Sequence, residues 1–179
     1  DSEGERLRLA RVRLHARLVA LAGGGVREPV GVALADRSVL RGTVEAVGAD
    51  FAALRIESHA AGLALVRTAA LTSITMSEAE LMRSARAEAQ LARTGLAERL
   101  TLGFVLRDLT RRRVPVRVHP LWAEPEFGTI DRVGVDHLDL AVHDAGAARR
   151  TGEVRAFRLI PLAAVAWLML ERGESPTLL

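Results

Sequence analysis

One ten-residue pattern occurs twice: RGTVEAVGAD at 41–50 and FGTIDRVGVD at 127–136. The positions differ by 86 (128 − 42). At that offset Pro29, Val30, Val32, Gly42, Thr43, Val47, Gly48, Asp50 and Leu54 meet identical residues, 9 of 26 aligned positions without a gap. Upstream, ERLRL (5–9) is answered by ERLTL (98–102). Downstream, LVRTAALTSI (65–74) is answered by LIPLAAVAWL (159–168) once eight residues are inserted in the second copy. Three collinear matches in one order imply an internal duplication, and a duplicated chain is constrained to build the same unit twice.

Each copy opens on a helical segment, Glu5 to about Ala22 and about Leu96 to Thr110. In the first, Leu7, Leu14, Leu18 and Leu21 make one stripe while Leu9, Val12 and Val19 lie on another face, so the helix has two packing partners. Short alternating strands follow. Val30, Val32 and Leu34 point one way; so do Leu40, Gly42 and Val44, with Arg41, Thr43 and Glu45 facing out. Ala52, Leu54 and Ile56, and Leu138, Leu140 and Val142 in the second copy, are the next inward sets. Gly42 and Gly128 sit mid-strand, where a side chain would obstruct a bend or a close neighbour. Gly48-Ala-Asp50 and Gly134-Val-Asp136 make the turn that follows. Five short strands after a helix predict a small, strongly bent barrel.

The expected organisation is a first unit with its helix at 1–76, a helical linker at 77–95, a second unit at 96–172 and a tail at 173–179. Ser77-Glu-Ala-Glu80 is a capping-box pattern that starts the linker helix, expected to run to about Thr94 before Gly95. LAGGGV (21–26) ends the first helix and lacks the lysine and ordered glycines of a phosphate loop.

At these residues the chain resembles the Sm-like fold, an N-terminal helix followed by five bent strands. In VALADRSVLRGTVEAVGADFAAL, Asp36, Gly42 and Asp50 stand at the positions of that family's first motif, with Arg37 where a glycine is usual. The second copy keeps Gly128 and Asp136, with HPLWAEPEF in place of the first hairpin. Of the second motif's Arg-Gly step, the first copy has Arg67 without the glycine, and Ile160-Pro161-Leu162 matches neither. The whole is similar to duplicated Sm-like proteins of high-GC bacteria that are often machine-labelled as Fis-type transcription regulators, a label no helix-turn-helix here supports. The resemblance implies a mainly β, α+β chain of two tandem Sm-like (SH3-like) five-stranded barrels. It also implies edge-to-edge pairing, strand four of one barrel against strand five of the next, one such junction being satisfied within the chain.

Candidate chemistry is sparse. RNA-binding Sm proteins read a base with a third-strand asparagine, a stacking residue and the second-motif arginine. This chain has no asparagine, but Phe51 stands where a base would stack, with Arg67 and Arg55 near it; His137 takes the Phe51 position in the second copy. Arg111, Arg112 and Arg113 form a basic cluster at a helix end, suited to the helix dipole or to phosphate. His137, Asp139 and His143 alternate on one strand, yet His137 and His143 are about 20 Å apart in an extended strand, so one ion cannot take both. His137 and Asp139 remain weak metal candidates, and no metal or other cofactor is expected.

All 25 basic residues are arginine, and lysine, tyrosine and cysteine are missing along with asparagine. This is the imprint of a GC-rich genome. The net charge of +3 gives only a mild bias toward anionic partners. A hydrophobic share of 49% supports a real core. No run of about eighteen apolar residues predicts a transmembrane helix, and LIPLAAVAWLML (159–170) reads as a buried strand. No signal peptide is read from a chain that begins at Asp1, and without cysteine there is no disulfide framework; the cytoplasm is the expected compartment. No Ser/His/Asp or paired-carboxylate arrangement stands out, so a non-enzyme is expected. The reading is a binding module for single-stranded RNA or other nucleic acid; the alternative is a protein-assembly scaffold. Pro161 makes the second copy's fourth strand a poor edge for repeated pairing. Self-association is therefore expected as a dimer through helices or the C-terminal strand, with a trimer second.

Overall fold

The computed structural model describes residues 2–24, 26–58, 62–86, 96–171 and 173–176. Helices α1 (Ser2–Leu9) and α2 (Leu14–Ala22) precede strands β1 (Val30–Leu34), β2 (Val39–Val47), β3 (Phe51–Ile56), β4 (Leu63–Arg67) and β5 (Leu71–Thr75). Helix α3 (Glu78–Arg86) follows. Then come α4 (Leu102–Arg111) and strands β6 (Pro115–Pro120), β7 (Glu126–Val133), β8 (His137–Val142), β9 (Ala156–Pro161) and β10 (Val165–Leu170). The chain is α+β. All ten strands form one antiparallel sheet in the order β5-β1-β2-β3-β4-β10-β6-β7-β8-β9.

This sheet does not close into a barrel; β5 and β9 stand at its two ends. Two barrels joined by one internal junction are the sequence expectation; the barrels do not close, but the junction of strand four of the first unit with strand five of the second is present. Strand β4 gives its free edge to β10, with Leu65 opposite Leu168 and Leu63 opposite Leu170, so backbone groups that would face water are paired across the middle of the chain. Strand β10 is paired on both edges, by β4 and by β6. It therefore offers no edge to a second chain, against the expectation of a dimer through the C-terminal strand.

Pairing within the second five strands repeats that within the first. Val30 opposes Gly42 and Val116 opposes Gly128; Gly42 opposes Ile56 and Gly128 opposes Val142. The irregularity between Val44 and Ala46 recurs between Ile130 and Arg132. Glycine is required at the bend because the next strand lies too close for a side chain. A Cβ on Gly42 would sit 2.3 Å from the Arg55 carbonyl oxygen, and one on Gly128 2.2 Å from that of Ala141. At the turn, the Gly48 N–H donates to the Phe51 carbonyl and the Gly134 N–H to the His137 carbonyl, both at 2.8 Å. There the following ring fills the glycine's side-chain space.

Two apolar cores lie along the sheet. The first joins Leu18 and Leu21 of α2 to Val30, Val32, Val44 and Leu54. The second joins Leu102, Val105, Leu106 and Leu109 of α4 to Val116, Ile130, Leu138 and Leu140. Strands β3 and β4 serve both. Ala52, Leu54, Ala64 and Val66 face the first core, while Phe51, Ala53, Leu63 and Leu65 face the second. The run FAAL is thus apolar because both its faces are covered, as near-continuous apolar strands usually are.

Three helical expectations change. The single helix from Glu5 to Ala22 is two, separated at 10–13. The residues that pack, Leu18, Ala20 and Leu21, all lie in α2, whereas Leu7 on α1 is exposed and gives that segment little reason to stay in line. The match of 5–9 with 98–102 has no common conformation, since the former lies in α1 and the latter runs from a 3-10 turn into α4. The cause is Thr101, whose hydroxyl accepts from the Phe104 N–H and starts α4 there. In the linker, Ser77 Oγ accepts from the Glu80 N–H as expected, but the Glu80 carboxylate turns to Arg83 at 2.7 Å instead of closing the capping box. The rest of the expected linker helix, 87–95, lies outside the described residues. LIPLAAVAWLML divides into the end of β9, a 3-10 turn (Leu162–Ala164) and β10, so it is two strands.

Candidate functional site

The first-copy candidates are absorbed by the fold. Phe51 is fully buried in the second core and has no face on which a base could stack. Its burial follows from position: the residue after the Asp50 turn starts β3 on the face that meets α4. Arg67 reaches across the sheet, its Nη1 donating to the Ala163 carbonyl at 3.1 Å and the Val165 carbonyl at 3.0 Å. It thereby fastens the turn before β10 to β4. Arg55 is held by Glu45 through Nε at 3.0 Å and Nη2 at 3.2 Å. None of the three is free to form the expected site.

The motif aspartates also have structural tasks. Asp50 Oδ1 accepts from the Leu102 N–H at 2.7 Å, capping the first turn of α4 from the neighbouring unit. Asp136 has no such helix; its exposed carboxylate lies 2.9 Å from His137 Nδ1. Asp36 accepts from Ser38 and from the Trp167 indole N–H at 3.1 Å. Among the described residues no three His or acidic side chains gather as a metal site. His143 lies just past the end of β8 and is buried, bonded to Thr129 Oγ1 at 2.8 Å, and so does not share an exposed face with His137 and Asp139.

The sequence gives no hint of the junction cavity. His119 stacks on Trp167 with ring centroids 3.6 Å apart. Together with Asp36, Ser38 and the exposed Trp122, His119 borders a cavity of about 420 Å³. Burial pushes the His119 imidazole down to about 4, opposed by the Asp36 carboxylate and aided by Arg117. Its Nε2 is buried and has no hydrogen-bond partner among the described residues.

The basic cluster is placed differently from the first-copy candidates. Arg112 is used internally, bonded to Asp108 and to the Ser175 carbonyl. Arg111 reaches Asp108 at 3.4 Å but keeps a largely exposed side chain. Arg113 takes a left-handed backbone, φ 53°, which ends α4 and turns the chain toward β6. Arg111 and Arg113 line a cavity of about 540 Å³ with Thr110, Thr129, Asp131 and Arg149. This runs into a second of about 440 Å³, lined by Thr110, Arg111 and Asp131 again, and by Phe104, Arg107, Arg132 and Val133. The two make one groove between the outer face of α4 and β7. Five arginines line it (Arg107, Arg111, Arg113, Arg132 and Arg149) against one carboxylate, Asp131, a surplus of four positive charges (5 − 1). Asp131 is itself bound by Arg149 at 2.6 and 2.7 Å. Phe104 stands half exposed at one end. Sequence pattern does not single out Arg107, Arg132 or Arg149; the one signal for Arg107 is its helical spacing of i, i+3 and i+7 with Phe104 and Arg111.

Comparison with protein-family models, with curated proteins and with solved structures found no match to the chain.

Proposed function

We propose that this chain is a non-catalytic binding module of two Sm-like units that holds single-stranded RNA or other single-stranded nucleic acid in the groove beside α4. The observation that carries the reading is the groove's charge: five arginines and one carboxylate beside an accessible aromatic ring. Arginines attract and position a phosphate backbone without reading sequence. A ring such as Phe104 stacks a base of any kind. Two Sm-like units from one duplication are supported by the strand order, which reads β5-β1-β2-β3-β4 and then β10-β6-β7-β8-β9, with a helix before each set and the same bent-strand glycine. The site lies in the second unit, because Phe51 and Arg67 of the first are spent on the junction with the second and Arg55 is paired with Glu45.

Binding of a fluorescent oligouridine tests the reading. The pair Arg111→Gln and Arg113→Gln is expected to weaken binding by tenfold or more, whereas Arg6→Gln with Arg8→Gln, the same charge lost from α1, changes it little. Equal loss from both pairs would mean that only net charge matters and would remove the groove from the account. A protein-assembly role is the second reading, favoured by Phe157 and Leu159, exposed side by side on a strand at the end of the sheet.

A further inference from the structure

Two counterpart hairpins meet at the junction cavity. The β1–β2 turn of the first unit brings Asp36 and Ser38 to it, and the β6–β7 loop of the second brings residues 120–125. Each hairpin is tied in the same way to the 3-10 turn that follows its own unit's fourth strand: the Ala35 N–H donates to the Ala70 carbonyl and the Leu121 N–H to the Ala164 carbonyl. At the offset of 86, Trp122 stands where the first hairpin has Asp36, and Glu124 where it has Ser38. The first pair is bonded to itself and to Trp167. The second pair is not so used. Trp122 is 87% exposed, and Glu124 has no hydrogen bond or ion pair among the described residues. The hairpin therefore presents an indole and a carboxylate that its own turn does not need.

In charge the cavity is the opposite of the groove beside α4. Asp36 and Glu124 line it, and of the chain's 25 basic residues, all arginine, none lines it among the described residues. Arg37, between Asp36 and Ser38, is exposed and turned away from the lining. Asp36 is met by uncharged donors, Ser38 and the Trp167 indole, and has no ion pair among the described residues. Nor does His119 supply a positive charge, because burial keeps its imidazole neutral. Its Nε2 is a buried polar atom without a partner among the described residues, and a neutral imidazole can accept there. Two carboxylates, an open indole face and an unmet acceptor suit one kind of group, a flat cation rich in N–H donors. A guanidinium stacks on an indole and donates to carboxylates from a planar fork. We propose that the junction cavity binds a guanidinium-bearing ligand, stacked on Trp122 and held by Asp36 and Glu124. The cavity shares no lining residue with the arginine groove, and the proposal does not depend on the nucleic-acid reading.

Both tryptophans of the chain belong to this site, Trp122 in the lining and Trp167 bonded to Asp36. Their indole N–H signals in a nitrogen–proton correlation spectrum therefore read it directly. N-acetyl-arginine amide is expected to shift both signals to saturation. N-acetyl-citrulline amide, the same shape without the charge, is expected to leave them in place. Trp122→Ala and Glu124→Gln change exposed side chains and spare the fold. Each should weaken binding by about threefold or more, read on the Trp167 signal. Glu153→Gln, an exposed carboxylate outside the cavity, should leave it unchanged. The same titration with a capped Gly-Arg-Gly peptide identifies the source: tighter binding than the amide assigns an arginine of a protein partner, and equal binding a free guanidinium compound. No shift with the arginine amide, equal binding of the citrulline amide, or a Trp122→Ala protein that binds like the wild type overturns the proposal.

Discussion

Substituting the two bent-strand glycines tests the repeated architecture most sharply. In Gly42→Ala the new methyl would lie 2.3 Å from the Arg55 carbonyl oxygen, and in Gly128→Ala 2.2 Å from that of Ala141. Both obstacles are backbone atoms of the next strand, which cannot swing aside as a side chain can. Overpacking costs about 1–3 kcal/mol, and a fixed neighbour places these changes in the upper part, about 2–3 kcal/mol. For a chain of this length each kcal/mol lowers Tm by about 2–4 °C, so a fall of roughly 4–12 °C is expected for each. Gly152→Ala is the control: its methyl would meet nothing within 4 Å, and its effect should stay within about 0.5 kcal/mol. Thermal and urea unfolding followed by circular dichroism measure all three. If Gly42→Ala behaves like Gly152→Ala, or if only one of the bent-strand pair loses stability, the argument that both bends need the same close approach is refuted.

Phe51→Ala should act on folding rather than on binding, at a cost of about 3–5 kcal/mol for a fully buried ring, read in urea unfolding. Asp50→Ala should cost about 0.5–2 kcal/mol through the lost cap on α4, while Asp136→Ala, whose carboxylate is exposed, should cost less than about 0.5; equal losses would count against the unequal roles of the pair. His119 is held down to about 4, below its ordinary 6.5, by burial. The unfolded chain therefore takes up a proton before the folded one does, so the stability from neutral His119 is complete above 6.5 and is lost as pH falls toward 4. In His119→Phe, which keeps the stack and removes the titration, the decline of Tm between pH 6.5 and 4 should flatten. The Arg83 guanidinium holds Glu80 below its usual value, so a further loss is expected below pH 4.5, removed in Glu80→Gln.

Much of the strand plan is legible in the sequence because it is written twice and with period two. Val30, Val32, Leu34, Leu40 and Val44 face inward as the alternation predicts. What alternation cannot show is a second buried face. Phe51 and Ala53 look outward in a five-strand unit read alone, and are buried only because α4 and the second unit lie behind them. The same holds for Arg67, which reads as a solvated or ligand-binding arginine until β10 arrives at its edge. The break between α1 and α2 has no Pro or Gly to announce it. The groove is not legible in the sequence because its lining comes from α4 and the turn after it, β7 and the loop after β8, which lie far apart along the chain. Of the sequence candidates for nucleic-acid binding, Arg111 and Arg113 line it.

The most direct test of the account is the salt dependence of binding to a single-stranded oligonucleotide. For single strands each neutralised phosphate contributes a slope of about −0.7 in log K against log salt. The lining's surplus of four positive charges sets a limit of about −2.8, and losing Arg111 and Arg113 should reduce the slope's magnitude by up to about 1.4. The account predicts salt-sensitive binding whose slope falls in this way in the double variant. No binding at low salt, or a slope unchanged by the two substitutions, would contradict it.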